Sequence, residues 1–213
     1  MSEACAIPGQ GLRVAPNAVP LPESAPPPAG ATAELILAGG CFWCTEAVFA
    51  ALKGVHSVES GYVGGSAESA DYRRVCNGDT GHAEAIRIQF DGQQISAGEL
   101  LKIFFAVAHD PTQKDRQGHD RGTQYRSAVF VHDAAEREFV ERYIRQLDQA
   151  GIFTGPIATT VEPLTTFYRA EAYHQQYAAR NPWQPYIQAV AVPKMEKLQH
   201  YFAAAIKADA ESE

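Results

Sequence analysis

Two cysteines three residues apart frame the run Gly40-Cys41-Phe42-Trp43-Cys44. The thiolate is the reactive form of cysteine, and a helix N-terminus stabilises it through free backbone N–H groups and aligned peptide dipoles. Cys41 follows two glycines that let the backbone turn sharply, and the spacing of Ala47, Val48, Ala51 and Leu52 predicts a helix over Thr45 to Leu52. Phe42 and Trp43 set aromatic surface beside the sulfur, and thioether contacts with rings are favourable by roughly 0.3 to 1.5 kcal/mol. The arrangement suits a nucleophilic Cys41 acting on an apolar, sulfur-bearing group. Cys44, one helical turn on, is placed to condense with an oxidised Cys41.

Other readings of the pair stay open on spacing alone. Two small buried residues beside a chain turn would look the same, and so would half of a zinc site. No second close Cys/Cys or His/His pair completes such a site, so neither metal nor cofactor is expected. A thioredoxin-like dithiol oxidoreductase also carries Cys-x-x-Cys at a helix start, and a redox-regulated binding module would use the pair only to stabilise its fold. Glu84 bears on the choice. Counting by twos from Phe90, Ile88 and Ile86 puts it on the apolar face of a strand, where desolvation keeps a carboxyl protonated, as a general acid requires. A solvent-exposed strand start, with Glu84 paired to an arginine, has the same spacing.

The elements that must position these groups are legible in outline. Leu35 to Ala38 is a short apolar run stopped by two glycines, the pattern of a buried strand. Strands are predicted over Ser57 to Val63, Ala83 to Phe90 and Ser127 to Val131. A helix capped by Ser96-x-x-Glu99 precedes the stop at Pro111, and another runs from Asp133-x-x-Glu136 to Gly151. Strand, helix, strand, strand, helix, strand is the split pattern of a ferredoxin-like two-layer α+β sandwich. Beyond Pro156, a strand over Ile157 to Val161 and helices over Glu171 to Arg180 and Met195 to Ala208 complete the expectation.

Seven of the 13 prolines fall within the first 28 residues, so residues 1 to 31 read as a disordered Pro/Ala-rich tail and 32 to 213 as a single catalytic domain. Hydrophobic residues make up 46% and charged residues 20% of the 213, as in a globular protein with a real core. A net charge of −7 argues against nucleic-acid binding. Four cysteines are too few for a disulfide framework. The sequence shows no apolar run of membrane-spanning length and no signal-peptide stretch, so a cytoplasmic location without membrane attachment is expected.

Gly39-Gly40-Cys41-Phe42-Trp43-Cys44-Thr45-Glu46 resembles the active-site signature of the A-type peptide methionine sulfoxide reductases. The resemblance continues through Tyr62 to Gly65, Tyr72 to Gly78, Thr80 to Glu84, His109 to Thr112, Gly122 to Ser127 and Ala170 to Tyr177, in the family's order. It implies that Cys41 is the nucleophile and Glu84 the proton donor to the sulfoxide oxygen. It further implies that Tyr72 and Tyr125 are phenol donors, that Asp120 positions the site, and that Phe42 and Trp43 form the methyl pocket. The implied substrate is methionine S-sulfoxide, free or in proteins, and the implied reductant is thioredoxin or another small dithiol protein, acting on a monomer. No cysteine follows Cys76, so recycling cysteines near the C-terminus are absent and the resolving role falls to Cys44. Cys76 is expected to be a buried structural thiol, and nothing favours a role for Cys5.

Overall fold

A computed structural model describes residues 14–26 and 32–208. In chain order the elements are β1 (Ala33–Gly39), α1 (Phe42–Ala50), β2 (Val55–Val63), α2 (Tyr72–Val75), β3 (Ala83–Phe90) and α3 (Ala97–Ile103), the last continued by a π-turn over Phe104–Ala108. A short ribbon of β4 (Arg116–Gln117) and β5 (Asp120–Arg121) precedes β6 (Ser127–Val131), α4 (Ala134–Ala150), β7 (Thr160–Pro163), β8 (Phe167–Arg169), α5 (Tyr177–Arg180) and α6 (Val192–Phe202).

Six strands form one sheet in the order β7-β6-β1-β3-β2-β8, antiparallel throughout except for the parallel β6/β7 pair. The period-2 pattern of β3 sorts its residues between two cores. Ile86, Ile88 and Phe90 enter the larger one with α1, α3 and α4, whereas Ala83 and Ala85 join a smaller cluster with Ile36, Ala38 and Phe130 on the opposite face. Glu84 shares the face of Ile86 and is 1% exposed. The register places it across from Tyr62 of β2.

Several expectations are corrected. Residues 14–26 do not trail as a tail: Val19 is fully buried in the main core, Tyr143 donates to the carbonyl of Pro20 at 2.7 Å, and Gln146 brackets Leu21 and Glu23. Proline-rich backbone lacks donors for a ladder, and here its carbonyls find side-chain donors on α4 instead. The single helix expected over Glu171 to Arg180 is broken into a 3₁₀ turn over Ala172–His174 and the four-residue α5. Gln175 interrupts it by turning inward, where its side chain bonds both backbone groups of Ser60 on β2, and Gln176 takes a left-handed φ of 53°. Strand β8 was not foreseen, β7 falls three residues late, and α6 starts at Val192 rather than Met195. Cys76 is exposed, not buried, because it follows a helix of one turn whose only buried residue is Val75. Cys5 lies outside the described residues.

Candidate active site

Cys41 is the N-cap of α1, held there by a backbone turn that only glycine accommodates at position 40. Gly40 has φ +84°, and a Cβ at that position would lie 2.6 Å from the Gln117 side chain. The carbonyl of Cys41 accepts from the N–H of Cys44 at 3.1 Å and of Thr45 at 3.4 Å, which opens the helix. The N–H of Phe42 has no partner within the helix, as at any helix start. It donates instead to Oε2 of Glu84 at 3.1 Å, tying β3 to the first turn of α1 and setting a buried carboxyl beside the cysteine.

Burial pushes Glu84 up to about 8, against the opposing effect of the Phe42 N–H, so it is protonated at neutral pH. The arginine-paired alternative does not occur: Arg87 pairs with Glu59 and Glu34 on the other face. Burial also raises Cys41, and the hydrogen bond to Cys44 and the charges of Cys44 and Glu84 act in the same direction. The hydrogen bond from Cys41 lowers Cys44 despite its burial. A helix-stabilised thiolate resting on Cys41 was the expectation; desolvation by burial opposes the helix terminus and raises the Cys41 thiol instead.

The other expected residues gather around this pair. Tyr72 opens α2, its N–H donating to Glu171 Oε1 at 3.0 Å, and Tyr125 closes a 3₁₀ turn over Thr123–Tyr125. That turn is bound to the α2 loop by Thr123 to the carbonyl of Gly78 at 2.8 Å and by Gln124 to the carbonyl of Cys76 at 3.3 Å. Both phenols are raised, first by burial and also by Glu84 and Cys41, and so remain hydrogen-bond donors. Asp120, at the return of the β4/β5 ribbon, accepts a short hydrogen bond from the Tyr186 hydroxyl. Phe42 is fully buried, 5.8 Å from the Tyr62 ring, while Trp43 is half-buried and stacks on Tyr177 at 3.9 Å and 14°.

Three site residues escaped the sequence reading. Tyr186 donates to Asp120, acts to lower the Cys41 thiol against its burial, and stands edge-on to Trp43 at 6.1 Å. His174, 1% exposed, accepts from Trp43 Nε1 at 3.0 Å and faces Phe42 and Tyr72. Burial lowers its basicity, so it is the neutral ring that receives the indole proton. Tyr177 completes the aromatic wall. His174 and Tyr177 lie in a motif already noted for its resemblance, but Tyr186, from a Pro-flanked segment, carried no sequence signal. Among the described residues no group of His, Cys, Asp and Glu is arranged to hold a metal, and no helix is long and apolar enough to cross a membrane.

Comparison with known proteins agrees with this geometry. The family model described as peptide methionine sulfoxide reductase matches residues 33–206. The peptide methionine sulfoxide reductase MsrA of Deinococcus radiodurans is 53% identical over 175 residues, covering 82% of this chain and 84% of the relative. That of Chromobacterium violaceum is 53% identical over 168 residues, covering 79% and 95%. Among solved structures, reduced Mxr1 of Saccharomyces cerevisiae superposes with a TM-score of 0.66 at 36% identity, over 75% of this chain and 90% of that one. Methionine sulfoxide reductase A of Corynebacterium diphtheriae gives 0.61 at 34% identity, over 87% and 93%. With a buried carboxyl at a cysteine-capped helix and a family match across nearly all of the described domain, the chain belongs to the peptide methionine sulfoxide reductase family, in its A type.

Proposed function

We propose that the protein reduces methionine S-sulfoxide, free or in polypeptides, to methionine, with Cys41 as nucleophile and Glu84 as proton donor. The observation that carries this reading is the bond from the Phe42 N–H to Glu84, which holds a protonated carboxyl at the mouth of the cysteine-capped helix. Because Oε2 accepts from Phe42, the proton resides on Oε1 and is directed to the sulfoxide oxygen. The Cys41 sulfur attacks the sulfoxide sulfur and gives up its proton, which the Glu84 carboxylate left by donation to the oxygen takes up. As the Glu84 proton reaches the oxygen, the sulfur–oxygen bond breaks, methionine leaves with a lone pair restored to its sulfur, and the hydroxyl ends on Cys41 as a sulfenic acid.

Tyr72 and Tyr125 donate to the oxygen as its charge develops, and Asp120 orients Tyr186. Phe42 and Trp43 receive the methyl group, with His174 fixing the indole. Cys44 then attacks the Cys41 sulfur, releasing water and closing a disulfide that thioredoxin or a similar dithiol protein reduces. The strand order β6-β1-β3-β2 with α1 and α3 supports a ferredoxin-like core, and residues from 32 onward act as a single catalytic domain. A single-turnover assay with resolved sulfoxide epimers tests the activity: one equivalent of methionine is expected from the S epimer and none from the R epimer. Methionine from the R epimer alone, or from neither, would refute it.

A further inference from the structure

Four large hydrophobic side chains are exposed among the described residues: Leu21, Tyr173, Trp183 and Tyr201. Single exposed apolar side chains are ordinary, so position has to distinguish them. Tyr173 alone of the four is stacked into the active site. It is 58% exposed, yet its ring lies 4.1 Å from that of His174, the residue that accepts from Trp43 and lies 4.4 Å from Tyr72 and 5.1 Å from Phe42. An unbroken series of rings therefore runs from the methyl pocket through His174 to the surface, and Tyr173 is its solvent-facing end. Trp183 is more exposed but makes no ring contact among the described residues.

The support beneath Tyr173 is rigid. Its neighbour Glu171 is fixed by Tyr62 Oη at 2.9 Å and the Tyr72 N–H at 3.0 Å, Ala170 donates to the carbonyl of Ser60 at 2.9 Å, and Gln175 is bonded to both backbone groups of Ser60. An aromatic face held in place on a stitched segment meets a partner without the entropic cost of ordering a loop. Glu171, Asp71 and Arg73 lie around it, and the ring is the apolar surface that this segment offers to a partner.

We infer that Tyr173 forms a subsite for the residue next to methionine sulfoxide in an extended polypeptide, recognising an apolar or aromatic neighbour by contact with its ring. The inference rests on the reductase reading above and adds a substrate preference to it: an unfolded segment with its buried-type side chains exposed is a better substrate than the isolated amino acid. A substrate without flanking residues does not reach the subsite.

Three probes separate the possibilities: N-acetyl-methionine-S-sulfoxide amide, and tripeptides with methionine S-sulfoxide flanked by Gly or by Phe. Aromatic contacts of this kind correspond to about a two- to tenfold preference in kcat/KM for the Phe-flanked over the Gly-flanked peptide in wild type. Tyr173→Ala should collapse that ratio to about one, and Tyr173→Phe should retain it. Trp183→Ala should retain it as well. Equal rates on both peptides in wild type, a ratio unchanged by Tyr173→Ala, or a ratio lost in Trp183→Ala and kept in Tyr173→Ala would overturn the inference. Failure to reduce even the acetylated amino acid would instead defeat the reductase reading.

Discussion

Glu84 owes its chemistry to its place in the register of β3. Two residues further along, the same face of the strand holds Ile86 in the core, and the carboxyl is stripped of water to the same degree. Its proton is therefore available below about pH 8 and lost above it. On the proposed mechanism turnover falls as pH rises through about 8, since the acid form is the active one. Glu84→Gln should remove that limb and slow single-turnover reduction roughly 10²- to 10⁴-fold, the usual share of a general acid. A pH–rate profile in the variant that keeps the limb would assign it to another group. This residue was half legible: periodicity gave its face, but the Phe42 N–H that holds it comes from an element 42 positions away. The charge on Cys41 was misread for a related reason, because a helix start is visible in sequence whereas the burial that opposes it is not. Tyr186 was invisible, since its relation to Asp120 spans 66 residues with no local pattern to mark it.

At the scale of elements, strong local signals were read closely. The capping box at Ser96 and Glu99 forms as expected, Asp133 caps α4, and β3 and β6 span the predicted residues. What was missed depends on side chains reaching across the fold, above all β8 and the segment that follows it. Gly61 shows how closely that strand packs: a Cβ there would lie 2.3 Å from the Phe167 ring and 2.6 Å from the Tyr168 carbonyl. Gly61→Ala should push β8 from β2 and destabilise the protein by about 1 to 3 kcal/mol in denaturant unfolding. Because β8 leads into Glu171 and His174, the same variant should lose activity before it loses its fold. A variant with wild-type stability and turnover would show that the β2/β8 contact is not a support for the site.

For the whole molecule, one end of the sheet collects contributions that are far apart in sequence. The N-cap of α1, the start of β3, the α2 loop, the β4/β5 ribbon and the segment from Ala170 to Tyr186 converge on two sulfurs. Composition and charge bounded the class of protein, and the order of the first four main strands was legible from alternation and capping. The wrapping of the proline-rich 14–26 segment onto α4 was not, because its anchors are carbonyls answered by distant donors rather than any periodic pattern of its own.

The central claim is that oxygen passes from substrate to Cys41 and is expelled as water by Cys44. The most direct measurement is thiol mapping by mass spectrometry after one turnover on methionine S-sulfoxide without reductant. Wild type should contain a Cys41–Cys44 disulfide, and Cys44→Ser should hold a sulfenic acid at Cys41. A disulfide between Cys41 and Cys76, or an unmodified Cys41 alongside released methionine, would contradict the account.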